Sequence, residues 1–322
     1  MKVVVTGSSG FIGSAVVRAL GDGGHRVVRL VRSRPPPGSG DAFWDLTAGV
    51  VEIGGLDGVD AVVHLAGEST AGGPWTAARK ARMRESRVGG TRLMARTAAS
   101  LEPRPSVMVC ASAIGYYGDR GAETLTEESS PGAGFLPETG VAWEGAARPA
   151  ADSGIRVANL RFGLVIGAGG GLLSPIVPLF RLGLGARLGD GSQYMSWVAL
   201  ADAVGAILHV LGNDALVGPV NVTSPNPVTN REFTEMLGRV LGRPTVLSMP
   251  RFLLQLAPGN MADEALLASA RVLPTRLLAT GYSFRLPELE PALRRALEDR
   301  ALHAGSDMPE RPGAAASARK DR

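Results

Sequence analysis

The chain has 322 residues, of which 45% are hydrophobic and 20% are charged, and this composition predicts a soluble globular protein with a sizeable core. The formal net charge is +4 and the pI is about 9.6, but the basic residues are scattered along the sequence instead of forming one stripe. We therefore expect no nucleic-acid partner.

Short β-branched runs alternate along the chain with longer segments of helical periodicity. Strands are predicted at residues 3–6, 26–31, 61–65, 107–111, 156–160 and 220–222. Helices are predicted at residues 13–20, 76–100, 139–152, 201–211 and 230–241. This alternation is typical of the α/β class, so we expect a Rossmann-like, doubly wound parallel sheet with a smaller C-terminal substrate lobe.

The rhythm of the sequence changes after residue 166, where a segment punctuated by Gly and Pro begins. We expect residues 1–166, with returning segments near 196–222, to form a nucleotide-binding Rossmann domain. Residues 167–195 and 223–297 are expected to form the substrate lobe over the carboxyl ends of the strands. Residues 304–322 are rich in Ala, Gly, Ser, Pro and charge, so we expect a disordered tail there.

The first strand runs directly into a glycine-spaced turn, which reads Thr6-Gly7-Ser8-Ser9-Gly10-Phe11-Ile12-Gly13. Gly7 permits a tight turn, Gly10 lets the backbone approach a pyrophosphate, and Gly13 lets the next helix lie close to the sheet. The N–H groups of the first helical turn, at Phe11 and Ile12, would then face the anion. The order of strand, turn and helix predicts a dinucleotide site, and an ordinary Gly-rich turn is the alternative interpretation.

The end of the second predicted strand distinguishes between the two nicotinamide dinucleotides. A site that prefers NAD usually has an acidic residue about 20 residues past the glycines, but here no Asp or Glu occurs between Asp22 and Asp41. Arg32 follows the strand instead, and its hydrogen bonds to a 2′-phosphate would be worth roughly 1.5–3 kcal/mol each. We therefore predict NADP(H). The alternative is that Arg32 and Arg34 are solvated loop charges.

Several motifs together carry a resemblance to a known family. They include the glycine-spaced turn, residues 60–67 and residues 112–118. The chain resembles the extended, or atypical, short-chain dehydrogenase/reductase superfamily, and within it the NAD-dependent epimerase/dehydratase-like group of "epimerase family" proteins with a short C-terminal domain of unknown function. The marks of that group are Leu65-Ala66-Gly67-Glu68, Trp143-Glu144, residues 161–167, Arg271-Val272-Leu273-Pro274 and residues 278–284. The resemblance extends from Met1 to about Leu297.

The resemblance implies cofactor-side roles for several residues. Residues 65–67 would line the adenosine and ribose side, and Glu68 would be either a ribose contact or a charge at a helix start. Arg87 corresponds to a cofactor-side position, with an exposed helix cation as the alternative. Val165 would lie beside the nicotinamide or pack in the core. A homodimer is a further expectation from the superfamily.

The expected catalytic pair is missing from the sequence. Members of the superfamily typically use Ser or Thr with Tyr-x-x-x-Lys, because one helical turn places the lysine beside the tyrosine and lowers its pKa from about 10. This chain contains no Tyr-x-x-x-Lys. An alignment on Glu144 puts Leu136 and Gly140 at the Tyr and Lys positions, and an alternative alignment pairs Trp143 with Ala147. Neither supplies a proton donor.

The remaining polar candidates suggest two functions. Ser112 stands where the family's catalytic hydroxyl lies, although it would otherwise cap backbone at the strand end. Tyr116 with Arg120 is a candidate substitute acid. We expect an NADP(H)-binding oxidoreductase or epimerase-like enzyme that acts on a small carbonyl, hydroxyl or sugar-type substrate. Because the Tyr/Lys pair is missing, a catalytically inactive nucleotide-binding regulatory or scaffold protein is the alternative.

The sequence also predicts which further residues lie on the substrate side and which lie in the core. Gln193, Tyr194 and Trp197 resemble substrate-side residues, although Trp197 fits the core equally well. Cys110 is the only cysteine, so no intramolecular disulfide can form, and its strand position predicts a buried, inert thiol. His64 is interpreted as a core histidine with its hydrogen bonds satisfied.

Metal and membrane functions are not indicated by the sequence. The four histidines and one cysteine form no metal-ligand cluster. No apolar run reaches the ~18 residues of a membrane span, and the sequence begins with a strand instead of a signal peptide. We therefore expect a cytoplasmic protein that has neither a metal site nor a membrane partner.

Overall fold

The computed structural model describes residues 1–52, 55–70, 73–256 and 261–306. The strands are β1 (Lys2–Thr6), β2 (Arg26–Val31), β3 (Ala42–Asp45), β4 (Val50–Val51), β5 (Ala61–His64), β6 (Val107–Ala113), β7 (Thr124–Leu125), β8 (Arg156–Phe162), β9 (Leu164–Ile166), β10 (Ala186–Leu188), β11 (Tyr194–Met195), β12 (Trp197–Ala199), β13 (Gly218–Val222), β14 (Val228–Thr229), β15 (Leu247–Met249) and β16 (Arg271–Val272). The helices are α1 (Phe11–Asp22), α2 (Ala77–Ser100), α3 (Phe135–Gly145), α4 (Arg148–Asp152), α5 (Leu173–Arg181), α6 (Leu200–Leu211), α7 (Asn230–Leu241), α8 (Arg251–Leu254), α9 (Thr275–Ala279) and α10 (Leu289–Ser306). A 3₁₀ turn spans Ile114–Tyr117, and a π-helical segment spans Ala262–Leu266.

The central sheet has eight strands in the order β13-β8-β6-β5-β1-β2-β3-β4. Every neighbouring pair is parallel except β3 and β4, which are antiparallel. The chain proceeds outward from β1 through β2 and β3, then returns to β5 and proceeds the other way. The carboxyl ends of β1 and β5 therefore form a topological switch point, where ligands bind in sheets of this kind. The prediction of a Rossmann-like, doubly wound sheet is confirmed.

The predicted elements are present, with two differences. All six predicted strands occur in the central sheet with ends shifted by at most two residues, but its other two strands, β3 and β4, were not predicted, nor were the short strands outside it. The single helix predicted at residues 139–152 is two helices, α3 and α4. Pro149 lies in the first turn of α4, and because it has no N–H it cannot bond to the carbonyl of Gly145 and continue α3.

Helices cover both faces of the sheet, so its central strands β1, β5, β6 and β8 are largely buried on both sides. Val3 and Val5 of β1 pack with α1 and α6, whereas Val4 packs on the opposite face with α2 and α4. A side chain alternation of this kind explains why the strands read as nearly continuous apolar runs. The apolar clusters on the two faces hold the strands in place, and the candidate site lies at the carboxyl ends of these strands.

A third apolar cluster forms the core of the C-terminal part of the chain. Its members come from α5, α7, α10, β9 and β12 and include Val177, Trp197 and Phe233. The division into two lobes stays a prediction. Because α10 ends at Ser306, residues 304–306 of the predicted tail are helical, and the prediction for 307–322 lies outside the described residues. Within the part of the chain that the structure describes, no helix combines the length and apolarity that a bilayer crossing requires.

Candidate functional site

The turn after β1 can be built only with glycines. Gly7 has a φ of +65°, and a Cβ added there would lie 2.8 Å from the carbonyl carbon of Leu65. The N–H of Gly10 donates to the oxygen of Gly7 at 2.9 Å, and a Cβ on Gly13 would lie 2.0 Å from that same oxygen. Gly10 is also the N-cap of α1 and provides no side-chain cap, so the N–H groups of the first turn stay open to an anion. These residues fit a dinucleotide pyrophosphate.

The glycine-rich loop of residues 167–171 lies against Phe11 at the start of α1. Cβ atoms added at Gly167, Gly170 and Gly171 would lie 2.9, 2.3 and 2.7 Å from ring atoms of Phe11. The loop therefore reaches the start of α1 only because it has no side chains at these positions. Val165 of β9 pairs with β12, packs partly against the core and accepts a hydrogen bond at its carbonyl from the Leu172 N–H at 3.0 Å. Its backbone thus anchors the loop.

The segment after β5 is held by α2. The N–H of Glu68 donates to Ser86 Oγ at 3.0 Å, and Arg87 Nη1 donates to the Glu68 carbonyl at 2.9 Å. The Arg87 guanidinium lies 5.0 Å from the ring centre of Trp143, and a Cβ on Gly67 would lie 3.7 Å from the Arg87 side chain. Burial lowers the pKa of Arg87, so this residue is not an exposed helix cation. These contacts of Arg87 position residues 65–68 beside the glycine turn of residues 7–13, which we call the glycine cradle.

The arginines around the end of β2 differ in their partners. Arg29 binds Asp41, and Arg34 forms an ion pair with Glu52 at 3.0 Å. Arg32 is exposed at the strand end and makes no hydrogen bond or ion pair with any described residue. Of the two arginines predicted to meet a 2′-phosphate or to be solvated, Arg32 is thus the one whose guanidinium is not already bound to a carboxylate.

Ser112 lies near the end of β6 and is connected to α3 and β8 by hydrogen bonds. Its Oγ donates to Glu144 Oε1 at 2.7 Å, and Arg161 binds both oxygens of the same carboxylate at 2.8 Å. The side chains of Arg161 and Glu144 are 3% and 13% exposed, so they form a buried ion pair. Burial by itself lowers the pKa of Arg161, but its hydrogen bonds and its attraction to Glu144 raise that pKa overall.

The positions aligned with the missing Tyr/Lys pair are filled by other side chains. A Cβ on Gly140 would lie 3.3 Å from both Cα and Cβ of Tyr116, so any larger residue at position 140 would require Tyr116 to shift. The Tyr116 ring is stacked on Arg161, whose guanidinium carbon lies 3.5 Å from the ring centre. The proposed partner Arg120 instead binds both carboxylate oxygens of Glu123 at 2.8 and 2.7 Å. The structure therefore pairs Tyr116 with Arg161 and not with Arg120.

Glu144 and Arg161 lie in the family's marks, but the sequence predicts no role for either residue. The available signal is Arg161 itself, which interrupts the apolar run of β8. A buried guanidinium needs a counter-charge, so an acidic partner could have been predicted. Which carboxylate provides it could not, because Glu144 lies 17 residues away in another element.

Two of the residues expected on the substrate side, Gln193 and Trp197, donate hydrogen bonds to backbone carbonyls. Trp197 is fully buried in the third cluster, and its Nε1 donates to the Asn226 carbonyl at 3.0 Å. Gln193 Nε2 donates to the carbonyls of Leu188 and Leu266 at 3.2 and 3.3 Å. Tyr194 is half-buried in β11. The structure therefore places Trp197 in the core.

His64 at the end of β5 is fully buried. Its Nδ1 lies 2.8 Å from Thr6 Oγ1, which accepts the N–H groups of Leu65 and Ala66 at 3.2 Å each. The Thr6 hydroxyl proton is therefore directed to Nδ1, which leaves the ring proton on Nε2. In the described part of the chain Nε2 has no hydrogen-bond partner, so the interpretation of a satisfied histidine is wrong for this atom. Burial lowers the pKa of His64 to about 4, and it raises that of the neighbouring Cys110 thiol to about 12.

We expect part of the acid sensitivity of this protein to come from His64. An unfolded histidine has a pKa of about 6.5, whereas burial lowers the pKa of His64 to about 4 in the folded chain. The unfolded state therefore binds this proton first, and roughly 3 kcal/mol of stability should be lost as the pH falls from about 6.5 to 4. Urea denaturation at pH 7 and pH 4 should show a smaller loss for His64→Gln. Equal losses in the two proteins would contradict the assignment.

The sheet order, the glycine cradle and the strand-end serine define a Rossmann-like protein of the short-chain dehydrogenase/reductase type. Residues 3–222 match the model of the NAD dependent epimerase/dehydratase family, and residues 249–296 match a domain of unknown function, DUF1731. The chain belongs to the NAD dependent epimerase/dehydratase family, which confirms the resemblance seen in the sequence.

Similar proteins cover nearly the whole chain. An epimerase family protein of Mycobacterium bovis is 43% identical over 291 residues, or 90% of this chain and 96% of that protein. The crystal structure of human epimerase family protein SDR39U1 with NADPH has a TM-score of 0.85 at 32% identity, and the match covers 93% of this chain and 100% of that one. A nucleoside-diphosphate sugar epimerase from Corynebacterium glutamicum has a TM-score of 0.77 at 34% identity, with 96% of this chain and 62% of that chain covered.

Proposed function

We propose that this protein is an NADP(H)-dependent oxidoreductase or epimerase that acts on a small carbonyl, hydroxyl or sugar-type substrate. The observation that carries the proposal is the placement of Ser112 on the same sheet edge as the glycine cradle. β6 is separated from β1 only by β5, so the hydroxyl and the cradle lie at the carboxyl ends of nearby parallel strands.

The cradle would hold the pyrophosphate, and Arg32 would bind the 2′-phosphate that distinguishes NADP(H) from NAD(H). The NADPH in the structure of human SDR39U1 supports this choice of cofactor. When bound, the nicotinamide would accept or supply a hydride at a substrate carbon. The protein's own contribution is to orient the substrate and to handle the proton on its oxygen. The cytoplasmic location and the homodimer expected from the sequence stay predictions.

Cofactor choice is tested at Arg32. Arg32→Ala should raise the Kd for NADPH by about 10- to 100-fold, because one or two charge-assisted hydrogen bonds to the 2′-phosphate are lost. Its affinity for NADH should not change. Arg34→Ala is the matched control, since Arg34 already pairs with Glu52. Equal affinity of the wild-type protein for NADH and NADPH in fluorescence titrations would contradict the assignment.

Enzymatic activity is tested by following absorbance at 340 nm with NADPH or NADP⁺ and a panel of carbonyl compounds, alcohols and sugar nucleotides. Ser112→Ala should lower kcat by about 100-fold or more, because it removes the strand-end hydroxyl that we propose binds the substrate oxygen. Ser106→Ala is the control, since Ser106 lies just before the other end of β6 and donates to the Asp60 carbonyl at 3.0 Å. Full activity of Ser112→Ala would remove this residue from the mechanism.

A catalytically inactive nucleotide-binding protein is the second candidate. It is favoured by Leu136 and Gly140 at the aligned Tyr and Lys positions, and by the close packing of Tyr116 against Gly140. Tight NADPH binding without turnover of any compound in the panel would support this second function and contradict the first.

A further inference from the structure

The hydrogen bonds of Ser112 leave only its acceptor capacity open. A hydroxyl has one proton to donate and two lone pairs to accept with, and the proton of Ser112 is directed at Glu144 Oε1, 2.7 Å away. No described residue donates to Ser112 Oγ. A substrate group that meets this oxygen must therefore be a donor, as an alcohol is.

The carboxylate behind Ser112 is bound by an arginine as well as by the serine. Arg161 contributes two parallel N–H donors to Glu144, a bidentate geometry that stabilises the ionised carboxylate. Arg161 is itself fixed by further contacts, since its Nη1 donates to the Tyr117 hydroxyl at 2.9 Å and its face is covered by Tyr116. The three side chains of Ser112, Glu144 and Arg161 thus form one continuous hydrogen-bonded chain with a single base at its centre.

Glu144 also lines a groove on the protein surface, apart from its contact with Ser112. This groove of about 560 Å³ lies beside α3 and α4 at the β8–β13 edge of the sheet, and Glu144, Arg148, Arg156 and Asn159 line it. Asn159 is more than nine-tenths buried, and its Oδ1 has no hydrogen-bond partner among the described residues. That oxygen is itself shielded from solvent, so the link between Glu144 and the groove is the exposed 13% of the Glu144 side chain. The groove is separate from the glycine turn that would hold the cofactor.

We propose that Ser112, Glu144 and Arg161 form a proton relay that replaces the absent Tyr/Lys pair, and that protons exchange with solvent through the groove lined by Asn159. The proposal rests on the oxidoreductase function proposed above. In the oxidative direction the substrate O–H bond breaks and a new O–H bond forms on Ser112 Oγ. The original Ser112 proton passes to Glu144 Oε1, which becomes a neutral carboxylic acid. The electron pair left on the substrate oxygen completes the carbonyl as the carbon loses its hydride.

In this relay Ser112 is the catalytic residue, and Glu144 and Arg161 act through it. Reduction runs through the same bonds in reverse, with Glu144 returning its proton to Ser112 and Ser112 donating to the forming alkoxide. The proton that enters or leaves Glu144 in each turnover crosses the groove. The charge balance is kept because Arg161 stays protonated throughout.

The first experiment compares two buried carboxylates. Glu144→Gln should lower kcat by about 100-fold or more on the compound that the wild-type protein turns over, with KM and NADPH affinity little changed. Glu127→Gln is the matched control: Glu127 is also buried, but it accepts hydrogen bonds from the N–H groups of Asn221 and Arg276 at 3.1 and 3.2 Å and serves the fold. The Glu127→Gln substitution should lower the stability of the protein and leave kcat unchanged. If Glu144→Gln keeps the wild-type kcat, the relay is wrong.

The failure of the relay and the failure of the proposed function have different signatures. An active wild-type protein with an active Glu144→Gln variant overturns the relay alone. A wild-type protein that binds NADPH and turns over nothing overturns the proposed function and the relay with it. If Glu144→Gln does not fold, Ser112→Ala replaces it, because that variant retains the ion pair; an unchanged kcat there also overturns the relay.

The second experiment uses the groove and does not depend on activity. Glu144→Ala leaves a vacant anion site beside Arg161 that opens on the groove, so sodium formate should bind and raise the melting temperature of the cofactor-free variant but not that of the wild-type protein. Sodium chloride at equal ionic strength is the control. In the same variant formate should restore at least a tenth of the wild-type kcat. Formate that binds without restoring turnover would make Glu144 a structural residue and overturn the relay, and an absence of binding would overturn the proposed access through the groove.

Discussion

Gly13→Ala should weaken NADPH binding by about 100-fold. The added Cβ would lie 2.0 Å from the Gly7 carbonyl oxygen, which is backbone and cannot rotate away as a side chain would. Relief of that overlap would move α1 away from the turn, at a cost of about 3 kcal/mol. A loss of that size in the bound state corresponds to about a 100-fold increase in Kd. Isothermal titration with NADPH measures it directly.

The matched control lies at the other end of the same helix. Gly21 has no atom within 4 Å of an added Cβ and has an ordinary helical backbone. Gly21→Ala should therefore leave NADPH affinity unchanged and stabilise the protein by about 0.5–1 kcal/mol. A Gly13→Ala variant that binds NADPH like the wild-type protein would show that the cofactor does not use this turn.

Arg161→Leu should destabilise the protein by about 3–5 kcal/mol, because it leaves the Glu144 carboxylate buried without its counter-charge. Urea denaturation at pH 7 measures the loss. The exposed pair of Arg148 and Asp152, 3.4 Å apart, is the control, and Arg148→Leu should change stability by less than about 1 kcal/mol.

A double variant separates the lost charge from the lost packing. Arg161→Leu combined with Glu144→Leu removes both charges, so it should recover much of the stability that the single substitution loses. A double variant as unstable as Arg161→Leu alone would attribute the loss to the packing of Arg161 on Tyr116 instead of to the unpaired carboxylate.

The parts of the fold that were predicted depend on local sequence. The glycine cradle was recognised because Gly7, Gly10 and Gly13 are needed by the backbone itself, within one turn and one helix start. The parallel sheet was recognised because its central strands β1, β5 and β6 are short apolar runs that are largely buried on both faces. β3 was missed because Ala42–Asp45 has four residues and follows a segment rich in Pro and Gly.

The parts of the site that were missed depend on contacts between distant segments. Ser112 was predicted, but its bond to Glu144 joins residues 32 positions apart and follows only from how α3 packs on the sheet. The partner of Tyr116 is Arg161 and not Arg120 for a similar reason. Arg161 lies on β8, which is brought beside β6 only by the pairing of the two strands in the sheet. A sequence pattern gives the residue types at a site but not these pairings.

The packing of Tyr116 against Gly140 limits how this protein could be converted into a conventional dehydrogenase. Introducing tyrosine at position 136 and lysine at position 140 would not be enough, because the lysine would begin 3.3 Å from the backbone and Cβ of Tyr116. Tyr116 in turn cannot be withdrawn without uncovering Arg161, 3.5 Å from its ring. A lysine at position 140 therefore requires the Tyr116 ring to shift, and that shift would also change how the ring covers Arg161.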